Sequence, residues 1–115
     1  MTQRSFTDIH RARTMVQEMP PQLMFMLEDA EARDTVWELH FSRTGPFGAV
    51  WTLLLLVDRE FLATQWTDQG RWSGRWIPSR KAVLFDEEDR IGLFNVEGRR
   101  IPKDEDDELE ECGSG

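Results

Sequence analysis

The sequence has no tyrosine, a single cysteine (Cys112) and two histidines (His10 and His40). One cysteine excludes an internal disulfide, which fits a reducing compartment. Two histidines and one thiol at these positions match no zinc-ligand spacing. Cys112 has no neighbouring base to stabilise a thiolate, so it is a poor nucleophile. Long apolar runs are also missing. The run at residues 53–57 is far short of the roughly 20 residues that span a bilayer as a helix, and no run is longer. Residues 1–20 carry Arg4, Asp8, Arg11, Arg13 and Glu18 and lack the apolar stretch of a secretory signal. These absences predict a cytoplasmic domain with no membrane partner. No glycine-rich phosphate loop is present, and no motif asks for a cofactor.

What is present is uneven charge. The formal net charge is −8. Asp104, Glu105, Asp106, Asp107, Glu108, Glu110 and Glu111 supply seven of those charges, so residues 1–103 carry about one. The acidity therefore belongs to a tail, residues 104–115, which is too charged and too poor in apolar groups to fold alone. Residues 71–81 hold Arg71, Arg75, Arg80 and Lys81 with no acid among them. The chain is bipolar, with a basic strip in mid-sequence and an acidic end.

Residues 1–103 read as one β-rich domain. Residues 5–18 have a weak apolar stripe (Phe6, Ile9, Met15) and predict a short helix capped by Ser5 or Thr7, stopped by Pro20 and Pro21. From about residue 23 to 101 the period becomes two. The run Leu23-Met24-Phe25-Met26-Leu27 fits strand or helix, and its strand neighbours favour strand. Residues 36–42 alternate Trp37, Leu39 and Phe41 against Glu38, His40 and Ser42. Residues 43–49 are a loop. Residues 50–57 are apolar on both faces and form the central strand. Strands at 61–67, 71–77, 82–86 and 91–97 follow, joined by Asp58-Arg59, Asp68-Gln69-Gly70 and the acidic turn 86–89. The expected fold is α+β or mainly β: an N-terminal helix on a meander of six or seven antiparallel strands, curled into a twisted sheet or small barrel.

Five tryptophans (37, 51, 66, 72 and 76) are more than so small a domain hides completely. Trp66, Arg71, Trp72, Arg75, Trp76 and Arg80 are the candidate contact residues, since exposed Trp beside Arg is typical of binding hot spots. The plainer account is a half-buried strand whose tryptophans fill the core and whose arginines face water. The seven tail acids are candidate contacts for a basic surface, set against a purely solubilising role. His40, with Glu38 and Ser42 on its face, is the only place for a general base, and no activated nucleophile is legible beside it.

These features favour a non-enzymatic protein-binding module, of an inhibitor or immunity type, that occludes a basic site on a partner protein. One alternative is a small barrel holding an apolar or aromatic ligand. Another is a single-stranded nucleic-acid binder using the Arg/Trp strip.

Overall fold

Period-two patterning produces eight strands, and each pairs antiparallel with its neighbour in sequence, in the order 1 to 8. The computed structural model describes residues 2–44 and 48–102. The strands are β1 (Thr2–Phe6), β2 (Trp37–Thr44), β3 (Gly48–Val57), β4 (Glu60–Thr67), β5 (Gly70–Ile77), β6 (Ala82–Glu87), β7 (Arg90–Phe94) and β8 (Arg100–Ile101). Two short helices, α1 (Ile9–Arg13) and α2 (Pro21–Ala32), lie between β1 and β2. Neither described helix is long and apolar enough to cross a membrane. The sheet is a curled half-barrel.

Curling follows from the contacts across the sheet. His40 on β2 and Trp76 on β5 are three strands apart, about 14 Å in a flat sheet. Their ring centroids are 6.0 Å apart and nearly parallel. The face carrying both residues is therefore concave. Alternation gives each face its own core. On the convex face, Phe41, Trp51 and Trp66 align in register across β2, β3 and β4. There Leu39 and Leu53 meet Ile9, Met15, Leu23 and Leu27 from the helical segment. On the concave face Leu54, Ala63, Val83, Phe85 and Phe94 form a second cluster, with Trp72 and Trp76 packed against it. Each fully buried Leu or Phe contributes roughly 1.5–3 kcal/mol to this closure.

Two expectations for the N-terminal third are corrected. The helix predicted over residues 5–18 is shorter: residues 2–6 pair with β2 as an edge strand, Phe6 opposite Leu39. Its cap is neither Ser5 nor Thr7 but Asp8, whose carboxylate accepts from the His10 amide at 2.7 Å. Residues 23–29, expected as strand, belong to α2. Pro21 occupies the first helical position, where its missing N–H costs nothing and its fixed φ suits a helix. Leu23, Leu27 and Ala30 are the buried residues, a helical spacing that the continuous apolar run conceals. The strands thus number eight rather than six or seven, because β1 and the two-residue β8 join the meander.

The hairpins follow the expected order, but the strand expected at 91–97 ends at Phe94, where Asn95 opens a turn closed by the Gly98 amide, and the acidic turn expected at 86–89 narrows to Glu88 and Asp89 because β6 runs to Glu87. Asp58 and Arg59 both take positive φ (51° and 70°), the geometry of a two-residue turn whose twist matches its strands. The loop expected at 43–49 is shorter, since β2 runs to Thr44 and β3 starts at Gly48. The acidic tail lies outside the described residues.

Candidate functional site

Alternation along β7 sends Arg90, Gly92 and Phe94 to the concave face, and Arg90 is the one charged group among them. Its guanidinium carbon lies 3.8 Å from the Phe94 ring centroid, 4.3 Å from Trp72 and 5.0 Å from Phe85. Nη2 donates to Gln65 Oε1 at 2.8 Å. Nε is buried and has no hydrogen-bond partner among the described residues. Neither Arg90 nor Arg100 has a carboxylate within ion-pairing distance among the described residues. Burial, and then the nearby Arg100 charge, pull the Arg90 pKa below its ordinary value, while Asp89 opposes them.

Gln65 sets this geometry. It is fully buried on β4 and satisfies its amide in three directions. Nε2 donates to Thr52 Oγ1 and to the Asn95 carbonyl, each at 3.0 Å, while Oε1 receives Arg90. One side chain thus ties β3, β4, the start of β7 and the β7–β8 connection together. That connection is itself built on Asn95, whose Oδ1 accepts from the Glu97 and Arg99 amides. Asn95 thereby returns the chain as β8 and delivers Arg100 opposite Phe94. The Arg100 guanidinium lies 4.9 Å from the Phe94 ring. It folds back over Gly92, where an added Cβ would sit 2.5 Å from Arg100 Nη1. Trp72 is held from its other end, its indole N–H donating to Asp89 at 3.1 Å.

Arg90, Phe94 and Arg100 edge a half-open cavity of about 610 Å³. Val50, Thr67 and Phe94 give it apolar wall, Arg90, Arg99 and Arg100 give it cationic charge, and Asp68 and Glu97 stand on its lining as well. A groove of about 690 Å³ between α2 and the end of β3 is comparable in size. Its one arginine, Arg33, is already paired with Asp29 at 3.0 Å. The mouth at Arg90 is the place where aromatic surface meets guanidinium groups that make no ion-pair contact among the described residues.

The residues singled out in the sequence are dispersed. Trp66, expected among the contact residues, is 6% exposed and belongs to the convex-face core. Trp72 and Trp76 turn inward on the concave face, half-buried. Arg71 and Arg75 are exposed on the opposite face, Arg75 at 3.8 Å from Glu60. Arg80 sits in the turn between β5 and β6. No single surface presents the strip, so the half-buried-strand account describes it. Asp104, Glu105, Asp106, Asp107, Glu108, Glu110 and Glu111 lie outside the described residues. His40 Nε2 approaches Glu38 Oε1 to 2.7 Å without the alignment of a hydrogen bond. The Ser42 hydroxyl is fully buried and makes no hydrogen bond among the described residues, so no substrate reaches it in this conformation.

Gln65, Arg90 and Arg100 carry the site, and none was singled out from the sequence. A signal for Arg90 was there. It alternates with Phe94, so an inward Phe94 implies an inward arginine.

Scans against protein-family models, curated proteins and solved structures return no match.

Proposed function

We propose that the protein is a non-catalytic binding module whose half-barrel takes a small, partly apolar ligand in the mouth beside Arg90. The observation that carries this is the pairing of aromatic wall and desolvated cation at the edge of an open cavity. Small-molecule sites combine apolar walls with a few placed polar groups in this way, and the mouths of barrels are a favoured location. The cavity volume is within the usual range for such sites, about 300–1,000 Å³. The fixed parts of the wall, Phe94 and the Gln65-held Arg90, are ordered by interactions within the protein, which lowers the entropy cost of binding.

Fluorescence titration tests the proposal. Trp72 touches Arg90, so occupancy of the mouth should alter its emission. A panel of bicyclic aromatic compounds, read against a Trp72→Phe variant, should give saturable quenching that the variant loses. Absence of saturable quenching by any compound would sink the proposal.

A further inference from the structure

We infer that Arg90 and Arg100 form an oxyanion subsite, so that the ligand of the mouth carries a carboxylate, phosphate or sulfonate group. This rests on the mouth being a binding site, and it names the chemistry of what binds there.

Three observations converge on it. First, both guanidinium groups lie over one ring, Phe94, close enough that the charge of Arg100 opposes protonation of Arg90. Two like charges this close repel each other, and an anion bound to both relieves that repulsion. Second, neither guanidinium is paired with a carboxylate among the described residues, although acids are plentiful in the neighbourhood. Glu87 accepts from the Ser73 amide and Asp89 from the Trp72 indole, and Asp89 favours the charged form of Arg90 without an ion-pair contact. Third, Arg90 is fixed in place by a neutral acceptor. Gln65 holds it without cancelling its charge, and of its five N–H donors only Nη2 is committed to a protein acceptor among the described residues.

The backbone makes room for the same arrangement. Gly92 carries φ +120° and lacks the Cβ that would displace Arg100 Nη1. Without that space, Arg100 could not fold back across β7 toward the ring it shares with Arg90. The opposing feature is the presence of Asp68 and Glu97 on the lining. Glu97 is partly engaged, its Oε1 lying 3.5 Å from Asn95 Nδ2. These acids suit a ligand with a hydrogen-bond donor at its other end.

The oxyanion has two sources: a free ligand, or the carboxylates of residues 104–111 of this same chain, which begin four positions after Arg100. A matched pair of probes, naphthalene-2-sulfonate and 2-naphthol, separates the possibilities on the full-length protein. The sulfonate should bind at least tenfold more tightly. That preference should vanish in Arg90→Gln and in Arg100→Gln, and the arginine Nε–H NMR signals of both residues should move on titration. Equal affinity for the two probes both in the natural chain and in the chain with its tail acids neutralised, or a preference that survives both substitutions, overturns the oxyanion subsite while leaving the mouth intact. Failure of both probes on both of those chains overturns the mouth and the subsite together. The full chain with Asp104, Asp106 and Asp107 changed to Asn and Glu105, Glu108, Glu110 and Glu111 to Gln identifies the source. If the sulfonate preference shows only in that variant, the subsite holds and its own chain fills it. If the preference is the same in both chains, the subsite holds and its ligand is external.

Discussion

Gln65 on β4 and Arg90 on β7 are joined by a 2.8 Å hydrogen bond that crosses the concave face over three strand positions. The pair links fold and site, because the amide that secures the guanidinium also secures Thr52 and the Asn95 carbonyl. An amide here closes the half-barrel and leaves the arginine charged toward the cavity. An apolar side chain in its place would take away the partner of the buried Thr52 hydroxyl and of Arg90 Nη2, while the Asn95 carbonyl would keep the Gly98 amide.

Gln65→Leu should therefore cost about 2–4 kcal/mol in urea or guanidinium unfolding, since each buried group left unsatisfied costs roughly 1–3 kcal/mol and relaxation recovers part of it. The coupling is the sharper test. In an Arg90→Met background the same substitution no longer orphans a buried cation. Its cost should fall by at least about 1 kcal/mol. Strictly additive losses would mean that the hydrogen bond contributes nothing specific.

The two faces of β5 should respond oppositely to alanine. Arg71→Ala and Arg75→Ala should each shift stability by less than about 1 kcal/mol, because both side chains are exposed and the Arg75–Glu60 approach is solvated. Trp72→Ala should cost about 2–3 kcal/mol, since it removes packing from the concave cluster and a ring from the Arg90 environment. Thermal unfolding of the three variants side by side decides it. A large loss at Arg75 would mean that the exposed strip is structural after all.

That contrast also marks how far the sequence is legible. Strict alternation in residues 71–77 and 36–42 places each side chain on its face, and the hairpin order follows from the turns between them. Alternation says nothing where a run is apolar throughout, and so Leu23 to Leu27 conceals the spacing of Leu23, Leu27 and Ala30 on α2. The site is less legible because it is assembled by curvature. Arg90 and Arg100 come from the paired strands β7 and β8, and only the fold of the sheet on itself brings Gln65 of β4 within reach of Arg90. Charge counted along the chain points instead to residues 71–81, where the bases are adjacent in sequence but shared between an exposed face and a turn.

Gly74 should be the least replaceable residue of β5. A Cβ there would run into the Leu84 carbonyl oxygen and come within 2.9 Å of Val83 Cγ1. The first obstacle is backbone, which cannot swing aside as a side chain does. Gly74→Ala should destabilise by about 2–4 kcal/mol through forced separation of β5 and β6. Gly70→Ala offers a comparison, since its added Cβ would meet only the Trp72 ring at 3.6 Å, with the penalty of its φ of +141° remaining. Amide exchange should locate the damage: protection lost first at Arg75, Trp76 and Ile77, which pair with β6. Uniform loss across the sheet would argue against a local clash.

Gly92→Ala should act through two separable effects. Its φ of +120° strains any residue with a Cβ, a cost on the order of 1–3 kcal/mol wherever Arg100 lies. The added methyl also displaces Arg100 Nη1, which now lies 2.5 Å from the position it would take. Combining the change with Arg100→Gln removes the clash with the guanidinium and keeps the strain. The double variant should thus be no less stable than Gly92→Ala alone, although Arg100 has been lost as well. Anion binding distinguishes the effects further. Gly92→Ala should weaken naphthalene-2-sulfonate by at least threefold at temperatures where the protein remains fully folded, because the second cation has moved from the Phe94 ring. If the affinity is unchanged, Arg100 reaches the ligand from another direction, and Gly92 is there for its positive φ alone.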